Sequence, residues 1–142
     1  MANVVFFSNS TRQSFVQAAP APQTSGGGSV QNESSDLLRS ARSVFVWSNT
    51  VYLRPETLEN ALRGRADFQS LDIAIVKGHK AADLVIGLNR PLFTFDFTYS
   101  VTHRQSNKLV ASGKVTAFDG NGAAPKIAEE LIKQMQSARS QR

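Results

Sequence analysis

The clearest pattern in the chain is a strict alternation of apolar and polar residues over Phe93-Thr94-Phe95-Asp96-Phe97-Thr98-Tyr99-Ser100-Val101. A strand repeats every two residues. Phe93, Phe95, Phe97, Tyr99 and Val101 therefore share one face, and Thr94, Asp96, Thr98 and Ser100 share the other. The pattern predicts a long strand over 92–102, paired as a hairpin with a second strand over 108–118. Shape sets the register. Placing Phe95 opposite Ala117, Phe97 opposite Val115, Tyr99 opposite Gly113 and Val101 opposite Ala111 lays large side chains over small ones. The other face then pairs Asp96 with Thr116, Thr98 with Lys114 and Ser100 with Ser112. A slip of one residue would mix the two faces. This register leaves Gln105-Ser106-Asn107 as a three-residue loop, whose left-handed last position Asn107 tolerates.

The apolar face of the hairpin needs cover, and the rest of the chain supplies it. Ser43 to Ser48 is β-branched and aromatic, a strand apolar on both faces and so an interior one. Val51-Tyr52-Leu53 continues it in extended form. Pro55 and Glu56 open a first helix, with Leu53 and Leu58 as a hydrophobic staple and Leu58, Ala61, Leu62 and Ala66 as its buried stripe. It ends near Phe68. Leu71 to Val76 and Leu84 to Asn89 are further strands, the second closed by Arg90-Pro91. The three strands after the first helix are expected to form a meander. Asp119-Gly120-Asn121-Gly122 turns the chain into a second helix, with Ala124, Ile127, Ala128, Leu131, Ile132 and Met135 as its stripe. Residues 36–42 suit one or two helical turns. The economical architecture is an α+β two-layer sandwich, a five-stranded mixed sheet with two helices on one face. Residues 36–142 form this single domain. Residues 1–35, with their Ala, Pro, Gln, Ser and Gly, read as a disordered tether or leader.

Charge refines this reading. The net charge is +5, yet residues 1–35 carry only Arg12 and Glu33, so the excess lies in the folded part. It is spread out rather than gathered in a basic arm, as on a soluble, mildly basic surface. There is no cysteine, which excludes disulfides, thiolate metal sites and cysteine nucleophiles. No apolar run reaches the roughly 20 residues of a membrane span. Val4 to Phe7 is too short for the apolar core of a secretory signal, so the chain as written shows no export address.

Candidate chemistry is sparse. His79 falls in a turn and His103 at the hairpin end, neither beside a second ligand, and both read as surface histidines. Asp119-Gly-Asn-Gly lacks the Lys-Ser/Thr of a phosphate loop and reads as a turn and cap. Asp96, Thr98, Ser100 and Lys114 share the polar face of the hairpin, where Lys114 can pair with Asp96. They are the candidate binding residues if that face is the floor of a groove. The aromatic face could instead serve as a stacking platform for single-stranded nucleic acid, but two helices need it as core.

The hairpin carries a resemblance. Ala82-Asp83-Leu84-Val85, a long alternating strand, a turn, Leu109-Val-Ala-Ser-Gly-Lys-Val115 and a final amphipathic helix resemble, in that order, small bacterial envelope domains. These are the N-terminal domain of TolB, CsgG-like curli secretion proteins and LpoB-like lipoproteins, together with uncharacterised bacterial proteins of the same pattern. Their turn reads Asp-x-x-Thr-Gly; here His103, Ser106 and Asn107 hold those positions. The resemblance covers residues 43–136. It implies a non-enzymatic envelope-associated interaction or scaffold domain with a protein partner, no cofactor and an exposed strand edge suited to strand addition. The location would be the periplasm or envelope if an export signal is missing from this chain, and otherwise the cytoplasm. A cytoplasmic basic nucleic-acid-binding module is the alternative, and a small enzyme of unknown class the third reading.

Overall fold

The computed structural model describes residues 31–140. The chain divides into two units, Met1–Glu33 and Ser34–Arg142. The tether reading of 1–35 lies outside the described residues except at 31–35, which are helical.

In the second unit, α1 (residues 34–40) leads to β1 (Ser43–Ser48), α2 (Pro55–Arg63) and a short α3 (Ala66–Gln69). Then come β2 (Ala74–Ile75), β3 (Leu84–Asn89), β4 (Asp96–His103), β5 (Lys108–Thr116) and α4 (Gly120–Ser140). The sheet order is β2-β1-β3-β4-β5. β1 is parallel to both β2 and β3, and β3-β4-β5 is antiparallel. This is an α+β fold on an open, five-stranded mixed sheet. The expected meander is therefore narrower. β2 and β3 flank β1, and residues 76–83 cross β1 between them, where His79 meets the Phe45 ring edge-on at 5.8 Å.

The hairpin register is the one read from shape, from Asp96 opposite Thr116 through Val101 opposite Ala111. A bulge then shifts it, so Thr102 pairs with Leu109 and His103 with Lys108. The loop is thereby four residues, 104–107, rather than three. Asn107 takes the left-handed position, at φ 57°. His103, the last residue of β4, helps close the turn. Its Nδ1 accepts the Ser106 backbone N–H at 3.3 Å and lies 2.8 Å from the Ser106 hydroxyl.

One face of the sheet is the core. Val44, Val46, Leu84, Ile86, Leu88, Phe97, Tyr99, Val101 and Val115 pack beneath the stripes of α2 and α4. Pro55 opens α2, but Gly64 closes it, so the helical run to Phe68 is broken in two. Val51–Leu53 is a turn rather than extended chain, because the Ser48 and Thr50 side chains fold the backbone on itself. Leu53 still reaches the core. Asp119 caps α4, accepting the Gly122 N–H at 2.8 Å. Gly120 is required by contact, since a methyl group there would stand 2.9 Å from Leu53 Cα. The Ala82-Asp83 pair also has a clear task. Ala82 is buried, and Asp83 Oδ2 accepts the Arg42 N–H at 2.8 Å, fixing the start of β1.

Tyr99 joins sheet to helix. Its hydroxyl donates to Glu130 Oε1 at 2.9 Å and accepts from Gln134 Nε2 at 2.7 Å. Burial, followed by the Glu130 carboxylate, pushes its pKa well above the usual tyrosine value. A raised phenol pKa leaves stability constant below the unfolded-state pKa near 10 and removes it as pH climbs beyond. Urea unfolding from pH 8 to 11.5 should show a fall of up to about 1.4 kcal/mol per pH unit above pH 10. Tyr99→Phe should be less stable by about 1–2 kcal/mol at pH 8. Its deficit should shrink above pH 10; a constant deficit would refute the assignment.

β5 forms one edge of the sheet. Ala117 N–H bonds to Phe95 C=O at 2.9 Å. By the antiparallel alternation, the N–H and C=O groups of Ser112, Lys114 and Thr116 therefore point outward. Side chains of α4 reach two of these carbonyls: Lys126 Nζ to Thr116 O at 2.8 Å, and Gln134 Nε2 to Ser112 O at 3.5 Å.

Candidate functional site

Two surfaces stand out, one foreseen in part and one not. The first is the sheet face away from α2 and α4. Opposed pairing of β4 and β5 puts Thr98, Ser100, Ser112 and Lys114 there, and β3 and β1 add Gly87, Asn89, Trp47 and Asn49. These residues line an open groove of about 570 Å³. Of the four candidate residues, Thr98, Ser100 and Lys114 border the groove. Asp96 sits beside it, 3.6 Å from Lys114 Nζ, and accepts the Thr116 hydroxyl at 2.7 Å. The structure thus brings all four to one face, with Asp96 engaged in holding Lys114 and Thr116.

Trp47 was missed. β1 is interior in the sheet, as expected, but an interior strand is covered on both faces only if both faces carry a layer. Here the helices lie on one side, and Trp47 is 46% exposed. Its ring lies flat over Gly87: a methyl group on that glycine would meet Trp47 Nε1, Cε2 and Cζ2 at 3.1–3.2 Å.

The second surface is one end of the sandwich. The 51–52 turn, the 90–95 loop and the segment after β5 meet there. Val51, Tyr52, Leu92, Phe93, Phe95 and Phe118 are all more than half exposed. Arg90 organises them. Its guanidinium lies 4.3 Å from the Tyr52 ring centre, with Phe97 and Phe95 at 5.4 and 5.8 Å. Its Nε donates to Thr94 O at 2.8 Å. Phe95 meets Phe118 edge-on at 5.5 Å. Phe93 and Phe95 were expected under the helices with Phe97. Instead the strand starts at Asp96, and Phe93 adopts φ 62° and stands fully in solvent. A bulky residue in the left-handed region costs roughly 1–2 kcal/mol, and such outliers gather at functional sites.

Phe97 and Tyr99 are buried, so they do not offer a stacking platform to nucleic acid. Among the described residues no group of three or more His, Asp or Glu side chains could hold a metal ion. No helix there is long and apolar enough to cross a membrane.

The class defined by this geometry is an α+β sandwich with one sheet face that α2 and α4 leave uncovered and an aromatic end. No protein-family profile matches the chain, and no curated protein matches it. Among solved structures the chain is similar to a PelC dodecamer from Paraburkholderia phytofirmans. The identity is 17%, over 73% of this chain and 91% of that one, with a TM-score of 0.38. It is also similar to protein XCC0632 from Xanthomonas campestris, at 13% identity over 70% and 81% of the two chains, with a TM-score of 0.35. Neither is one of the TolB, CsgG-like or LpoB-like proteins that the hairpin pattern resembles. At these scores neither likeness says what this chain does.

Proposed function

We propose that the chain is a non-enzymatic docking domain of the bacterial cell envelope that holds a protein partner at its aromatic end. The observation that carries this reading is the concentration of six exposed large apolar side chains at one end of a small domain. Contiguous exposed apolar surface of that kind marks interaction sites. Arg90 among aromatic rings matches the residue types enriched in interface anchors. Phe93 adds a second sign, because a strained backbone and a fully exposed ring coincide there.

The test uses the full chain, tagged at its C-terminus in the native cell, with a photo-reactive residue in place of Val51. Irradiation of intact cells should give discrete protein adducts that fractionate with the envelope. Phe93→Gly should abolish the adducts while keeping or raising stability, by up to about 1 kcal/mol, since glycine relieves the left-handed strain at some entropic cost. A cytosolic chain without adducts would overturn the proposal. So would adducts that persist unchanged in the glycine variant.

A further inference from the structure

We propose that the groove on the bare sheet face is a binding site for uncharged oligosaccharide. The site is distinct from the aromatic end and independent of the docking reading above.

The argument starts from Trp47. One face of its indole rests on Gly87, and nearly half of the residue is open to solvent. A ring backed by the sheet on one side and open on the other offers a stacking surface to the C–H face of a sugar. Gly87 is what permits this, because any side chain there would lift the ring. Around the indole stand Asn49, Asn89, Ser100 and Ser112. Among the described residues none of these four side chains is hydrogen-bonded; the bonds these residues make run through their backbones, as from Asn49 N–H to Leu88 O and from Gln134 Nε2 to Ser112 O. Each amide can donate twice and accept, and each hydroxyl can do both. That set matches a ligand presenting many hydroxyls.

Charge decides against the competing occupants. Among the described residues Lys114 is the only cation lining the groove, and Asp96 lies 3.6 Å from it. A single-stranded nucleic acid would stack well on Trp47 but would find one half-neutralised lysine for its phosphates. An acidic ligand meets the same shortage. The charge-balanced, hydroxyl- and amide-lined surface complements a neutral, hydroxyl-rich ligand. Its size lies within the roughly 300–1,000 Å³ typical of small-ligand sites.

Trp47 is the sole tryptophan, so its emission reports directly on the groove. The full chain would be titrated with the β-1,4-linked N-acetylglucosamine pentamer, cellopentaose, maltopentaose and, for comparison, an oligothymidine strand. The expected result is a saturable shift of Trp47 emission with at least one saccharide at millimolar or tighter affinity, insensitive to salt. Ser100→Ala and Asn89→Ala should each weaken it about tenfold, the loss of one well-placed hydrogen bond. Both are surface truncations that leave the core intact. Amide shifts on the labelled protein should cluster at Trp47, Gly87, Ser100 and Gly113 and spare Phe93 and Phe118. Absence of binding by all three saccharides at millimolar concentration would overturn the proposal. So would preferential, salt-sensitive binding of the oligothymidine, or saccharide binding unchanged in both alanine variants. Because the readout is confined to the groove, these outcomes leave the docking reading of the aromatic end untouched.

Discussion

Truncating Phe97 to alanine is expected to lower the unfolding free energy by about 3–5 kcal/mol, the usual cost of removing a buried aromatic ring. The same truncation at Phe95 should cost about 1 kcal/mol, and at Phe93 no more than about 0.5 kcal/mol. All three residues belong to one alternating run, so pattern alone assigns them one fate. The structure separates them. Phe97 is wholly buried under the helices, Phe95 is 55% exposed and touches Phe118 by its edge, and Phe93 has no cover. Urea unfolding at constant slope would measure all three. Equal losses would mean that β4 starts earlier than Asp96 and that the aromatic end is part of the core.

Gly113→Val should cost about 3–4 kcal/mol. A methyl group alone on Gly113 would lie 2.6–2.7 Å from Tyr99 Cζ and Cε1. The ring cannot yield cheaply, because its hydroxyl is tied to Glu130 and Gln134 on α4. Overpacking of this kind costs about 1–3 kcal/mol, and displacing the hydroxyl from a carboxylate adds about 1–2 kcal/mol. A double-mutant cycle with Tyr99→Ala identifies the clash. The two losses should fall short of additivity by at least about 1 kcal/mol, because removing the ring makes room for the valine. Strict additivity would place the clash elsewhere.

The hairpin register was legible because each opposed pair on its core face sets a large side chain over a small one, Tyr99 over Gly113 most sharply. Alternation limits slippage to even steps, and those would collide rings with valines. The bulge was not legible. It draws Val110 inward while Leu109 stays out, a preference that neighbouring apolar residues do not reveal. The start of β4 was hidden for a related reason. Phe93 and Phe95 keep the strand period, but Arg90 holds Thr94 O, and the Thr94 hydroxyl donates to Pro91 O at 2.8 Å, closing the 90–94 segment as a loop.

The groove was half legible. Its β4 and β5 residues follow from alternation within one hairpin. Trp47 belongs to a strand two places away in the sheet, and only the strand order β1-β3-β4 brings it over. The aromatic end was invisible, since Tyr52, Arg90 and Phe118 are far apart in sequence and meet only where three loops converge. Separation of that kind is decided by topology, which composition and periodicity do not encode.

The reach of α4 over the outer strand has a consequence for how the chain folds in company. Outward-pointing N–H and C=O groups make β5 a template for other copies. Lys126 and Gln134 occupy two of its carbonyls, and Lys114 and Lys108 add charge along the same strand. Both guarding side chains belong to a helix that is synthesised after the hairpin. A nascent chain with its hairpin formed and its helix still absent therefore exposes a bare strand, and crowding is most dangerous in that interval. Docking of α4 is thus the step that closes this edge, through Lys126 and Gln134.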